Sequence, residues 1–257
     1  MTTDNNTVKL NTADDVAFIT LDAPPLNIFT AEMMRGINNA VEKVTADDSL
    51  KALVFQASGK AFSAGADVGE HHPDNATAMI SAFGRMFTLL GALELPVVMA
   101  VDGAALGAGF ELVMMADVLL ASERATFGQP EIRLGFFAPF GVAYLPKLVG
   151  PARAMEITCS GRIYSAEQMN AYGLVSRVVK SDELDGVLDA TLRDFRKASP
   201  LVMRLNVRTL KRLRTLPFEQ AHQEAEKVFL EELMATEDVL EGIASFYEKR
   251  KPEWKNR

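Results

Sequence analysis

Apolar residues along most of the chain alternate between short solid runs and helical spacings. Val16–Leu21 (VAFITL), Ala52–Ala57 (ALVFQA), Val97–Val101 and Val118–Ala121 are compact apolar runs, which predicts strands. Pro24 and Pro25 close the first of them. Thr30 is placed to cap a helix whose apolar face is Met34, Ile37, Val41 and Val44. A second helix is predicted from about Ala76 to Leu93, with Met79, Phe83, Met86 and Leu90 on one face. A third covers about Ala152–Cys159, with Gly150 at its cap and Pro151 pre-set for its first position. Val175–Val179 closes the strand series, and from about Ser199 the pattern is wholly helical, punctuated by Pro200 and Pro217. The chain shows no low-complexity linker and no repeat of fixed period. The expectation is an α/β core of ββα-like turns over residues 1–198. A helical portion follows over 199–257, too amphipathic to float free, that packs on the core or on another subunit.

Composition narrows the class. At 257 residues, 48% hydrophobic and 24% charged, the chain can bury a substantial core and is globular. A balance of 27 basic and 34 acidic residues argues against general nucleic-acid binding. The single cysteine, Cys159, has no internal partner for a disulfide, and three histidines are few for a metal enzyme. Met1–Asp15 is polar with no signal-like apolar run, and the longest uncharged stretch, Leu134–Pro146, has 13 residues, too short to span a bilayer. A cytoplasmic protein is expected, with neither membrane nor nucleic acid as partner.

Candidate chemistry gathers in two places. Ala104–Leu112 (AALGAGFEL) puts a small-residue turn before a helix with Glu111 in its first turn. Glu131 follows twenty residues later in the tight segment FGQPE. A helix N-terminus offers unpaired N–H groups, and two carboxyls aimed at it suit a reaction in which an oxygen gains charge while protons move. Gly103, Gly107 and Gly109 do not follow the dinucleotide-binding order of glycines, and tight strand-to-helix packing explains them as well. Glu111 lies among Phe110, Leu112, Val113, Met114 and Met115, where a carboxyl is costly unless it is paired or functional. A solvent-facing loop acid is the plain alternative for Glu131. Ala61–Val68 (AFSAGADV) is a second small-residue turn whose backbone could approach a ligand. His71 and His72 just beyond it belong either to a polar surface loop or to the same site. Arg204, Arg208 and Arg212 make a basic stripe at helical spacing, read as a solvated face.

Four segments then show a family resemblance that runs over nearly the whole chain. FSAGADV (Phe62–Val68), ALGAGFEL (Ala105–Leu112), FGQPEIRLG (Phe127–Gly135) and EGIASFYEKRKPEWK (Glu241–Lys255) closely resemble the enoyl-CoA hydratase/isomerase (crotonase) superfamily. The resemblance implies a spiral of ββα units with a helical C-terminal portion that forms trimers, usually paired into hexamers. It implies acyl-CoA thioester substrates and no cofactor beyond the CoA that the substrate carries. By position it assigns the oxyanion hole to the backbone N–H groups of Ala66 and Ala108, and the two catalytic carboxyls of a hydratase to Glu111 and Glu131. It places Leu26, Ala64, Asp67, Val68 and Gly107 along the CoA and thioester groove. Phe246 and Lys249 match residues that contact the CoA adenine and phosphates, often in a neighbouring subunit.

One segment departs from the common pattern. Where many hydratases carry a glycine-rich loop, Gly135–Pro146 reads GFFAPFGVAYLP, and Phe136, Phe137, Phe140 and Tyr144 are expected to wall the acyl pocket. With Glu70-His71-His72-Pro73, this resembles the cyclohexadiene-carboxyl-CoA hydratases. The functional expectation is water addition to an enoyl- or cyclic dienoyl-CoA. The alternatives within the family are a double-bond isomerase, a hydrolase, or a non-enzymatic RNA-binding relative.

Overall fold

The computed structural model describes residues 7–257, so residues 1–6 of the polar N-terminus lie outside it. Strands β1 (Val8–Ala13) and β2 (Val16–Leu21) pair antiparallel, and α1 (Ala31–Thr45) crosses to β3 (Ala52–Ala57). One motif then repeats. β3 leads to β4 (Ala61–Ser63) and α2 (Pro73–Ala92). β5 (Val97–Val101) leads to β6 (Ala104–Leu106) and α3 (Ala108–Val113). β7 (Val118–Ser122) leads to β8 (Thr126–Gly128) and α4 (Pro139–Val149). The core ends with α5 (Pro151–Ser160), β9 (Ile163–Ser165), α6 (Ala166–Ala171), β10 (Arg177–Val179) and α7 (Leu184–Phe195). The C-terminal portion holds α8 (Pro200–Leu213), α9 (Phe218–Lys227), a π-helical turn over Val228–Glu232 and α10 (Glu237–Glu248).

Each turn of this ββα spiral adds one strand to each of two sheets. The larger runs β1-β2-β3-β5-β7-β10 and is parallel from β2 onward; the smaller runs β4-β6-β8-β9. Parallel strands covered on both faces are apolar throughout, and the two-residue period decides which face each side chain serves. Leu53, Phe55, Val97, Met99 and Val101 join the main core with Met33, Ile37, Val41, Phe83 and Leu90 of α1 and α2. Ala52, Val54, Val98, Ala100 and Leu120 face the other way, onto Leu184, Leu188 and Leu192 of α7.

Thr30 caps α1 as expected, accepting from the Met33 N–H at 3.2 Å. α2 begins at Pro73 rather than near Ala76, because Pro73 suits a first helical position and the His72 ring accepts the Asp74 N–H. The polar segment before Val16 contains β1, where only Val8 and Leu10 are buried. The small-residue stretches read as turns contain the three-residue strands β4, β6 and β8, and the uncharged run after Leu134 contains α4.

The tail is fastened to the core. Lys211 donates to the Leu90 and Leu93 carbonyls at the end of α2, 3.5 Å from Asp117, and Arg214 donates to the Tyr144 hydroxyl. The arginine stripe of α8 is occupied: Arg204 donates to the Asp48 carbonyl and Asn256, Arg208 faces Glu232 and Glu94, and Arg212 faces Glu224. Among the described residues no helix is long and apolar enough to cross a membrane.

Candidate active site

Three turns of the spiral converge on one cavity of about 360 Å³. The first contributes the loop after β4. Its backbone runs beside Phe29, which donates to the Gly65 carbonyl and accepts from the Asp67 N–H, so Ala66 is held in an extended bridge. Glu70 accepts the Ala31 N–H at 2.7 Å, tying the far end of the loop to the start of α1. Buried Asn27 secures the near end, donating to the Ser58 and Ala61 carbonyls and accepting from the Ala23 N–H.

The second turn contributes β6 and α3. Gly107 precedes the helix at φ 52° and ψ −123°, a conformation only glycine adopts readily, and its N–H donates to the Gly128 carbonyl of β8. Ala108 follows as the first helical residue. Among the described residues, neither the Ala66 nor the Ala108 N–H has an acceptor, and both residues line the cavity.

Glu111, one turn into α3, is 3% exposed. Its Oε1 accepts two backbone N–H groups, from Phe140 and Gly141, each at 2.8 Å. Those donors favour the anion, but burial outweighs them and neighbouring Glu131 adds to it, so the carboxyl is pushed up to about 8. Glu131 comes from the third turn, on a single 3₁₀ turn, Pro130–Leu134, ended by left-handed Gly135. Burial raises it too, and the side-chain amide of buried Gln129 faces its carboxylate. Glu131 Oε2 is 3.4 Å from where a Cβ on Gly107 would sit, and Gly65 Cα is 3.6 Å from the same point. The loop after β4, the turn before α3 and the second carboxyl therefore meet at one spot. Both carboxyls therefore favour their protonated forms, and ionising one makes it harder to ionise the other.

The structure brings Ala64, Ala66, Val68, Gly107, Ala108, Glu111 and Glu131 into the cavity lining. Leu26 and Asp67 stand outside it. The Leu26 carbonyl accepts the Ala64 N–H, and the Asp67 carboxylate accepts the Gly69 and Glu70 N–H groups. Phe246 and Lys249 lie at the end of α10, away from the cavity of their own chain, with Phe246 78% exposed. Among the described residues no three His, Cys, Asp or Glu side chains form a metal-ligating group.

The expected aromatic wall is half correct. Phe136 and Phe137 line the cavity, but Phe140 stacks on Phe87 at 3.9 Å and 12°, and Tyr144 packs on the core. Because 139–149 is helical, the side chains of Phe140 and Tyr144, four residues apart, share one inward face. The opposite wall comes from α2: Met79 and Phe83, which the helical period had marked as core, with Ile80 beside them. His71, on a 3₁₀ turn before α2, lines the cavity, whereas His72 is exposed at the helix cap. The amide donors to Glu111 and the Gln129 contact carry no sequence pattern of their own.

A sequence model of the enoyl-CoA hydratase/isomerase family matches residues 11–257. A probable enoyl-CoA hydratase of Rhizobium meliloti is 37% identical, with 98% of each chain covered. A cyclohexa-1,5-dienecarbonyl-CoA hydratase of Thauera aromatica is 34% identical over 92% of each. The crystal structure of an enoyl-CoA hydratase from Bacillus anthracis superposes with a TM-score of 0.92 at 27% identity, covering 98% of this chain and all of that one. With its spiral of paired strands and its cavity on the page, this chain belongs to the enoyl-CoA hydratase/isomerase family, within the crotonase superfamily.

Proposed function

We propose that the protein is a hydratase that adds water across the conjugated double bond of an acyl-CoA thioester. The observation that carries this reading is the convergence of two N–H groups without acceptors and two raised carboxyls on one apolar cavity. The Ala66 and Ala108 N–H groups receive the thioester oxygen and draw electron density from the alkene, leaving its far carbon electrophilic. Donors of this kind contribute on the order of 3–4 kcal/mol each. Glu111 and Glu131 hold one water between them. In the free cavity Glu111 holds its proton up to about pH 8. In the reacting form the pair carries one proton, on Glu131. The water's oxygen then bonds to the far carbon as its proton passes to Glu111, and Glu131 gives its proton to the carbon next to the thioester. One H and one OH are added, and the pair finishes with the same single proton, moved from Glu131 to Glu111. A proton returning between the two carboxyls restores the starting state. Retention of both carboxyls in one cavity favours water addition over isomerisation or thioester hydrolysis.

The acyl group we propose is a flat ring. Phe83, Phe136 and Phe137 give the cavity flat apolar walls, and the Thauera aromatica relative is named for a cyclic diene. The test is loss of conjugated absorbance with crotonyl-CoA and with cyclohexa-1,5-diene-1-carbonyl-CoA. We expect turnover of the cyclic substrate with the higher kcat/KM, and about a hundredfold or greater loss in each of Glu111→Gln and Glu131→Gln. Full activity in either variant rules out the two-carboxyl mechanism; a preference for crotonyl-CoA rules out the ring.

A further inference from the structure

Besides the two glutamates, the polar side chains lining the cavity are Arg133, which donates to the Ser160 carbonyl, and His71; the hydration chemistry uses neither. His71 shares the lining with the apolar side chains of Met79, Ile80, Phe83 and Phe136. Its Nδ1 lies 2.8 Å from the Asp67 carbonyl oxygen. A carbonyl oxygen only accepts, so Nδ1 carries the hydrogen and the neutral ring's lone pair resides on Nε2. The ring is also held by Phe136, with centroids 4.7 Å apart and planes at 48°. Asp67 is itself fixed, its N–H donating to Phe29 and its carboxylate capping the turn that carries His71. The tautomer and the placement of this ring are therefore set by the backbone before any substrate arrives. Nε2 is left as a hydrogen-bond acceptor with no partner among the described residues.

We infer that His71 is a specificity-determining residue: its Nε2 accepts a hydrogen bond from a hydroxyl on the acyl group, so the cavity takes hydroxylated acyl chains or rings in preference to bare ones. The inference rests on the cavity being the acyl site, as proposed above, but not on the reaction that occurs there. An apolar wall with one oriented acceptor discriminates in this direction because an acyl group without a donor leaves Nε2 desolvated and unpaired. Phe136 supplies the flat contact, and His71 supplies the polar address.

The test uses saturated thioesters that cannot react, so binding is read apart from turnover. Dissociation constants are measured by calorimetry for butanoyl- against 4-hydroxybutanoyl-CoA, and for cyclohexanecarbonyl- against 4-hydroxycyclohexanecarbonyl-CoA. In at least one pair the hydroxylated ligand should bind about three- to tenfold tighter, the range of one net hydrogen bond. That ratio should fall to about one in His71→Phe, which keeps a ring against Phe136. It should fall likewise in His71→Asn, whose amide can still donate to the Asp67 carbonyl but has nothing at the Nε2 position. Equal affinity within both pairs for the wild type, or a ratio unchanged in both variants, overturns the inference. If no acyl-CoA binds at all, the acyl-site reading fails first. If the ligands bind but no enoyl-CoA is hydrated, only the proposed reaction fails and the role of His71 stands.

Discussion

Glu111 occupies a site that favours its neutral form. Its anion is served by two amide donors, yet it is almost wholly removed from water and faces a second carboxyl. The consequence for stability has a definite sign. In the folded chain Glu111 keeps its proton up to about pH 8, whereas an unfolded chain gives it up near the ordinary value of 4.5. Between those values the native state binds the additional proton, so raising the pH lowers stability; below 4.5 the effect is absent, and above about 8 it is complete. Glu111→Gln keeps an oxygen for the Phe140 and Gly141 donors and removes the charge. The variant should therefore match the wild type near pH 4.5 and exceed it at pH 8 by on the order of 3 kcal/mol, read from urea midpoints at the two pH values. An equal or lower midpoint for the variant at pH 8 would show that Glu111 ionises without penalty. A buried carboxyl that costs the fold stability is the expected mark of a residue kept for chemistry.

At the scale of elements, the spacing of the two N–H donors is set by how closely α3 approaches β4. Gly109 is the contact: a Cβ there would lie 2.6 Å from Ser63 Cβ and 2.7 Å from the Ser63 carbonyl oxygen. Ser63 Oγ accepts the Gly65 N–H at 3.2 Å, so pushing Ser63 moves the loop that presents Ala66. Gly109→Ala should destabilise the fold by about 1–3 kcal/mol through overpacking. It should also lower kcat for hydration by about tenfold or more, because donors displaced by a fraction of an ångström no longer share one oxygen. Wild-type kcat in a folded Gly109→Ala protein would show that the two elements can part without harm. This close approach was legible only as a glycine-rich turn. The long apolar runs announced β2, β3, β5 and β7 because strands buried on both faces leave no polar positions, and the paired glutamates stood out because one sat in an apolar run. β4, β6 and β8 were hidden because three residues cannot display a period. The inward turn of Phe140 and the cavity position of His71 were hidden too. Which side of a helix or a 3₁₀ turn faces the site depends on elements packed from elsewhere in the chain.

The whole molecule leaves an apolar face uncovered on its C-terminal portion. Phe229, Leu233, Met234, Ile243, Phe246 and Tyr247 border a groove of about 700 Å³, and Leu230 and Leu240 are both well exposed on the same segments. Such a face on a fastened tail, in a chain whose likeness to its family implies trimers, is best covered by further copies of itself. That assembly would also bring Phe246 and Lys249 of one chain, neither of which lines its own cavity, toward the CoA of a neighbour. We expect light scattering on the purified protein to return three or six chain masses. Leu240→Glu should shift it toward one, since a buried unpaired charge at a contact between copies costs several kcal/mol. The same variant should raise KM for the acyl-CoA while the cavity of each chain stays intact. A wild type that is monomeric at micromolar concentration and still hydrates its substrate would show that one chain carries the complete site, and that Phe246 and Lys249 have no part in it.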